Sequence, residues 1–229
     1  MGRKEDKAWL YTFAETLGAL DINLKYNVCL RANHWNINDE NDNKVLLKLR
    51  ETGMETATVG IEAGNQADLD LYNKKTTVQQ NENILKMLSN NFIHCDMQFI
   101  NINPYSTIDR LHENLVFLHK VGYAYLLFPF LIVFQCYKGT RLYELLKKDG
   151  MIVEEAYKTR DKYFERFGDY LYEFKDPKIK VYAECFTEFY EKYFSQINAL
   201  QVRSINYEVN IYRIRKYNKS TPLIIQISI

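Results

Sequence analysis

The sequence predicts an α/β fold of parallel strands joined by crossover helices. Three observations carry this. A helical pattern is followed by four strand–helix pairs in strict alternation. The strand-like segments begin near residues 22, 56, 93 and 123, at steps of 34, 37 and 30 residues, the length of a strand, a helix and two turns. The strand segments read as apolar runs, as parallel strands covered on both faces should.

The elements follow in order. Lys7–Leu20 reads as a helix with Leu10, Phe13, Ala14 and Leu17 on one face and Gly18 at its end. INLKYNVCLR (22–31) is strand-like. NDENDNKVLLKLRETG (38–53) is a helix with early acids, apolar Val45, Leu46 and Leu49, and Gly53 as stop. TATVGIEAG (56–64) is a strand, and Thr77 with Gln80 forms a capping box opening a helix to Asn90. IHCDMQFININ (93–103) is a strand. Ser106 with Asp109 reads as a second capping box, opening a helix with Ile108, Leu111, Leu115 and Leu118 on one face and Gly122 as its end. YAYLLFPFLIVFQC (123–136) is a buried strand, too short for a membrane span and holding Pro129. Thr140–Lys148 is a short helix before Gly150. A βα barrel and an open doubly wound sheet both fit; a complete eightfold barrel does not, because four units are visible.

From Met151 the pattern changes. Segments 154–167 and 181–200 read as helices with aromatics at three- and four-residue spacing, which packing against the sheet or barrel mouth explains. The expected domains are therefore 1–150 for the βα units, 151–200 for a helical, aromatic-rich extension, and 201–229 for a tail. The tail has five Arg/Lys against one acid and ends STPLIIQISI. It reads as an edge strand, a disordered tail or sequence foreign to the domain.

Composition limits the function. A 47% apolar content supplies a core, and a net charge of +1 argues against a dedicated nucleic-acid or anionic-membrane binder. The start MGRKEDKAWL has no apolar core of a signal peptide. The four cysteines, Cys29, Cys95, Cys136 and Cys185, are never closer than 41 residues, so no metal-knuckle spacing exists. Sparse Cys in a chain of this size fits a reduced, cytoplasmic compartment, with each thiol expected in the core.

In parallel architectures the ligand site lies at the carboxyl ends of the strands. There the sequence places Arg31, Asn33 and His34; Glu62 and Gly64, with Asn65 and Lys74 beyond; Gln98, Asn101 and Asn103; and Gln135 and Lys138. Amides and a carboxylate suit hydroxyls and a base edge, and Arg31 and Lys74 suit a carboxylate. Each also has an ordinary structural reading: a helix-cap partner for Glu62, a solvated Lys74, a salt bridge for Arg31, turn caps for Asn101 and Asn103, and a packing role for His34. No Walker, G-x-G-x-x-G, G-x-S-x-G or H-E-x-x-H pattern is present.

VGIEAGNQADLDLYNKK (59–75) resembles the fourth-strand segment of radical S-adenosylmethionine (SAM) enzymes, typically V-G-I-E-S-G-x, then L, then N-K-G, and is similar to the branch often fused to a cobalamin-binding domain. NVCLRAN resembles the third-strand motif ending in Arg. FININPYST stands where the family has a G-x-P-G-x-T turn, CYKGTRLYELLKKDG resembles the P-G-T-x-L-Y turn after the sixth strand, and DKAWLYTFAETL resembles the helix after the second. The resemblance covers residues 5–150 and implies a partial (βα) barrel containing the third to sixth units. It implies that Glu62 meets the SAM ribose, that Lys74 lies toward the methionine carboxylate, with Arg31 also on that rim, and that Gln98 and Asn101 flank ribose and adenine. The implied cofactors are SAM and a [4Fe–4S] cluster.

The chain departs from the family pattern in two ways. It has no C-x-x-x-C-x-x-C, so no cluster ligands are identified, and Asn101 and Asn103 replace glycines of the fifth-strand turn. The expectation is the C-terminal part of a radical SAM enzyme, inactive alone. Its implied partners are an N-terminal segment carrying the cluster, or a cobalamin-binding domain, and an unidentified substrate. The alternatives are a cluster-free βα binding or assembly module and an ordinary βα enzyme.

Overall fold

The computed structural model describes residues 4–20, 24–124, 133–153 and 170–189, with 192, 193, 196 and 199 beyond them. Helix α1 (Lys4–Ala19) precedes β1 (Tyr26–Leu30), α2 (Glu40–Glu51), β2 (Met54–Glu62), α3 (Gln66–Leu71), α4 (Val78–Asn90), β3 (His94–Phe99) and α5 (Ile108–Lys120). Helix α6 (Arg141–Lys148) and two short strands, β4 (Ile152–Val153) and β5 (Leu171–Tyr172), follow. A last helix covers 177–189. The three long strands form one sheet in the order β1-β2-β3, all parallel. Past β3, Ile102 bridges Val133 in parallel, and the Phe134 N–H donates to Ile102 O at 2.7 Å. Most of the strand expected over 123–136, all of 154–167 and the tail 201–229 lie outside the described residues.

The alternation along the strands differs from the expectation. One face carries Leu30, Ala57, Val59, Ile61, Cys95, Met97 and Phe99, all buried under α2, α4 and α5. The opposite face carries Asn27, Cys29, Thr56, Thr58, Gly60, Asp96 and Gln98 and is half-buried or exposed. The strands are therefore not apolar on both sides. Side chains alternate with period two, and the polar set is tied across the strands. Asn27 Nδ2 donates to Thr58 Oγ1 at 2.9 Å, and Thr58 Oγ1 donates to Asp96 Oδ2 at 3.1 Å. The polar face also explains Cys29, which is exposed; Cys185, on the last helix, is exposed too, so the core holds only Cys95 and Cys136.

Caps fix the helix starts. The Thr77–Gln80 box forms with both reciprocal bonds present. The second expected box does not: Ser106 Oγ accepts from the Asn103 N–H at 2.9 Å, and Thr107 instead caps α5 by accepting from the Arg110 N–H. The buried stripe of α5 is Asn114, Phe117 and Leu118, while Ile108 and Leu115 are exposed. The helix is rotated so that Asn114, an unexpected core residue, faces the strand ends. Helix α1 buries Leu10 and Ala14, and Lys7 pairs with buried Asp42 of α2 at 2.7 Å. A second core joins Ile102, Val133 and Phe134 to Leu142 and Leu146 of α6, Tyr172 of β5, and Ile179 and Ala183 of the last helix. The aromatics past Met151 that the structure describes thus include packing residues, and 152–153 and 171–172 pair as antiparallel strands.

Candidate nucleoside site at the strand ends

The site begins with the backbone at Glu62. The register of β2 against β3 shifts between Gly60 and Glu62. Glu62 has φ +66°, a left-handed value that costs a non-glycine residue about 1–2 kcal/mol. The Ala63 N–H donates to Ile61 O at 2.8 Å, closing a three-residue turn around Glu62 of the rarer, strained kind. Neighbours hold this turn. Buried Asn81 donates from Nδ2 to Ile61 O at 2.9 Å and to Ala63 O at 3.3 Å, and the Ile100 N–H donates to Glu62 O at 2.8 Å. The carboxylate turns back over Gly60, where a Cβ would lie 2.7 Å from Glu62 Oε1.

Lys74 arrives by a second local device. The sequence reading assigns no element between residues 64 and 77, but Asn65 caps α3 there by accepting from the Asp68 N–H at 2.8 Å. Asn73 then adopts φ +56°, its N–H donating to Asp70 O and the Lys74 N–H to Leu69 O. This is a Schellman ending in which Asn takes the left-handed position glycine usually holds. It delivers Lys74 to Glu62, and the two side chains form an ion pair.

A cavity of about 470 Å³ opens beside this pair, lined among others by Gln98, Tyr72, Phe134, Gln135 and Arg141. It sits where the carboxyl ends of β2 and β3 and the Ile102–Val133 bridge meet. A larger recess of about 920 Å³ lies between α4 and the end of α5. It is a surface groove in the helix layer, with no strand end delivering side chains to it, so the smaller cavity is the better candidate.

Of the five residues singled out from the sequence, Glu62, Lys74 and Gln98 come together on this cavity. Arg31 is exposed at the end of β1, outside the cavity lining. Asn101 is buried, 2% exposed, with Asn114 Nδ2 directed at its Oδ1 at 3.4 Å. His34 lies half-buried in the turn after β1. Burial, then the nearby Arg31 charge, lower its pKa below the usual imidazole value. The adjacent Asn33 donates to Lys75 O at 3.0 Å, tying the β1 rim to the Lys74 turn.

Sequence reasoning misses Tyr72, Phe134 and Arg141. The signals were present: Tyr72 stands two residues before Lys74, and Arg141 directly follows the Thr140 cap. It also misses a buried polar network behind the site. Asp68, fully buried, accepts from Asn65 Nδ2 at 2.7 Å, from Asn103 Nδ2 at 3.0 Å and from Arg110 at 3.2 Å. Asn114 Oδ1 accepts from the Gly64 N–H at 2.8 Å and from Asn65 Nδ2 at 3.1 Å. Asn101 and Asn103, the two departures from the family's glycines, are both buried against this network.

The donor set suits an adenosyl ligand: a carboxylate for vicinal hydroxyls, a cation for a carboxylate, amides for a base edge, and aromatic rings. It does not suit an iron–sulfur cluster. Among the described residues no three His, Cys, Asp or Glu side chains gather as a metal site. Cys95 is buried, and burial, then the Asp96 charge, push its thiol pKa well up, against the thiolate a cluster needs.

A parallel βα layer with a polar site at its strand ends defines a class of α/β ligand-binding fold. The comparisons narrow it. The chain is 34% identical over 84 residues to the anaerobic magnesium-protoporphyrin IX monomethyl ester cyclase of Rubrivivax gelatinosus, a match covering 34% of this chain and 15% of the cyclase. Its fold is similar to the cobalamin-dependent S-adenosylmethionine radical enzyme OxsB, solved with aqua-cobalamin and S-adenosylmethionine bound (TM-score 0.67, 16% identity, 91% of this chain and 36% of that one). The apo form of OxsB gives a TM-score of 0.68 at 16% identity, covering 96% of this chain and 38% of OxsB. No family model matches the sequence. The chain thus spans little more than a third of its structural neighbour and a smaller part of the cyclase. These likenesses bear out the resemblance read from the motifs: the chain is similar to radical SAM enzymes, and the solved one it resembles in fold is cobalamin-dependent. Its fold is mixed α/β with a parallel three-stranded sheet, like that of a radical SAM enzyme. No helix among the described residues is long and apolar enough to cross a membrane.

Proposed function

We propose that the βα units form part of a radical SAM-type barrel, that the polar sheet face is its interior, and that the cavity at the strand ends binds the adenosyl part of SAM. The observation that carries this is Glu62, a carboxylate held on a strained turn, paired with Lys74 and facing a cavity of nucleoside size. On this reading the Glu62 carboxylate accepts hydrogen bonds from the ribose hydroxyls. Lys74 neutralises it in the free protein and turns to the methionine carboxylate when SAM is bound. Gln98, at the end of β3, reaches the same rim and offers both a donor and an acceptor. When bound, SAM supplies a sulfonium whose reductive cleavage starts radical chemistry in enzymes of this superfamily. The cluster for that cleavage does not fit the described residues of this chain, so its ligands would come from another segment.

The test is direct binding. Isothermal titration of the purified chain with SAM is expected to show saturable binding, weakened roughly tenfold by Glu62→Gln, the loss of about one charge-assisted hydrogen bond. Absence of binding, or equal affinity in the variant, overturns the assignment. The isolated chain supplied with iron, sulfide and a reductant is expected to release no 5′-deoxyadenosine; release would refute the placement of the cluster elsewhere.

A further inference from the structure

Of the rings on the cavity, Phe99 is turned against Phe117 on the helix side, with centroids 6.2 Å apart and planes 12° from parallel. Tyr137 is exposed and donates its hydroxyl to Gln135 at 2.8 Å. Tyr72 and Phe134 differ: their planes lie within 7° of parallel, with centroids 6.5 Å apart, and both border the cavity. Phe134 is fixed from behind by its own backbone, its N–H on Ile102 O and its carbonyl accepting from the Tyr172 hydroxyl at 2.8 Å. Tyr72 is fixed by its hydroxyl, which accepts from Asn103 Nδ2 at 2.8 Å. Asn103 is fully buried and its side chain is committed on every side: Nδ2 also donates to Asp68, and Oδ1 accepts from the Tyr105 N–H at 2.9 Å. The phenol end of Tyr72 is therefore anchored in the buried network, leaving the ring as the part the cavity meets. A flat apolar face held rigid beside polar groups suits a planar heteroaromatic base.

We propose that the base of the bound nucleoside lies flat on Tyr72, and that Asn103, itself oriented by Asp68, is the positioning residue that holds this ring for it; the proposal rests on the reading of the cavity as an adenosyl site. It gives the Asn at position 103, where the resemblance expects glycine, a role: a glycine has no side chain with which to hold the Tyr72 hydroxyl.

The experiment uses the full chain with ring-labelled tyrosine and two probes, adenosine and SAM, followed by NMR and calorimetry. Nuclear Overhauser contacts from the base protons to one tyrosine ring are expected, and they should vanish when Tyr72→Phe removes that label. Tyr72→Leu should weaken adenosine roughly five- to a hundredfold, the usual range for losing one base–aromatic stack. Asn103→Ala should weaken adenosine about threefold in the native background and leave it unchanged in the Tyr72→Phe background, since a positioning residue acts only through the bond it makes. An equal loss in both backgrounds overturns the positioning role. Adenosine that binds without touching Tyr72 overturns this proposal and leaves the adenosyl site standing. Failure of the unsubstituted chain to bind either probe overturns both. With the Tyr72 ring resonance assigned through its own backbone, the contact in the unsubstituted chain decides the matter even where a variant fails to fold.

Discussion

Asp68→Asn is the most informative single perturbation of the scaffold behind the site. The change keeps shape and removes one acceptor oxygen and the charge. Two orientations are open to the new amide. Placing its NH₂ toward Asn103 and Arg110 opposes two sets of donors, so the favoured orientation directs it at Asn65 Nδ2, now 2.7 Å from Asp68 Oδ2. That bond is lost, costing about 1–3 kcal/mol for a buried charge-assisted pair. Asn65 Nδ2 keeps Asn114 Oδ1 at 3.1 Å, which holds the cost to the lower part of that range. The bonds from Asn103 and Arg110 become charged-to-neutral or neutral, weakening by about 1 kcal/mol together. Arg110 is 30% exposed, so water recovers most of its share. The sum is about 2 kcal/mol, or roughly 4–8 °C in Tm for a chain of this length. Urea denaturation at neutral pH, with the slope unchanged, measures it. A shift below about 0.5 kcal/mol, the range of an ordinary surface substitution, would falsify the view of Asp68 as the hub of the network.

Two further outcomes follow from packing and ionisation. Gly64→Ala would drive a methyl into Phe117 Cβ and place it 2.6 Å from the Cγ, so it should destabilise by about 2–3 kcal/mol; an unchanged melting temperature contradicts the close approach of α5. Tyr72, through burial and then the Asp68 charge, and Tyr172, through burial and then Cys136, have pKa values well above the usual phenol value. The folded state therefore holds protons that the unfolded state loses above about pH 10, and stability should fall as pH rises through that point towards the folded values. A denaturation midpoint that stays flat there, or phenolate absorbance showing these rings ionising at the usual value, contradicts the burial.

Much of the architecture is legible because it depends on local chemistry. The Thr77–Gln80 box, the stop at Gly53 and the strand-to-strand spacing are written in adjacent residues, and five helices and three strands fall within a few positions of where the sequence puts them. What is not legible depends on which neighbour wins a shared group. Ser106 and Thr107 are equally good caps on paper. Ser106 is withdrawn because its hydroxyl serves the Asn103 N–H, a bond made in the turn before α5. The face of α5 is misread for a related reason: Asn114 is treated as polar and therefore outward, but it is needed inside to satisfy the Gly64 N–H and Asn65. Burying it rotates Leu115 into solvent. The polar sheet face is misread because the strands' small Thr and Ala residues blur the alternation. For the site, the strand-end rule selects Glu62, Lys74 and Gln98. It does not reach Tyr72, the residue that caps a helix too short to announce itself by periodicity.

The segment V-G-I-E-A-G then makes physical sense position by position. Backbone with φ near +66° is cheapest for glycine, and glycines stand two residues to either side of the strained position, yet the strained residue is Glu62. Gly60 is used for room, since a side chain there would collide with the Glu62 carboxylate. Gly64 is used for approach, since a side chain there would collide with Phe117. Neither relieves the turn. The strain of about 1–3 kcal/mol is offset by the bonds from Asn81 and Ile100 onto the carbonyls of Ile61, Glu62 and Ala63, each contributing about 1 kcal/mol. A glycine at position 62 would satisfy the backbone better and lose only the carboxylate. What Glu62 adds at this position is therefore its charge, and the clamp around it aims that charge, with Lys74, at the cavity. The contrast is measurable: Glu62→Gly should leave the chain as stable or more so while weakening the SAM binding expected above at least roughly tenfold, whereas a loss of stability would mean that the Glu62–Lys74 pair serves the fold rather than a ligand.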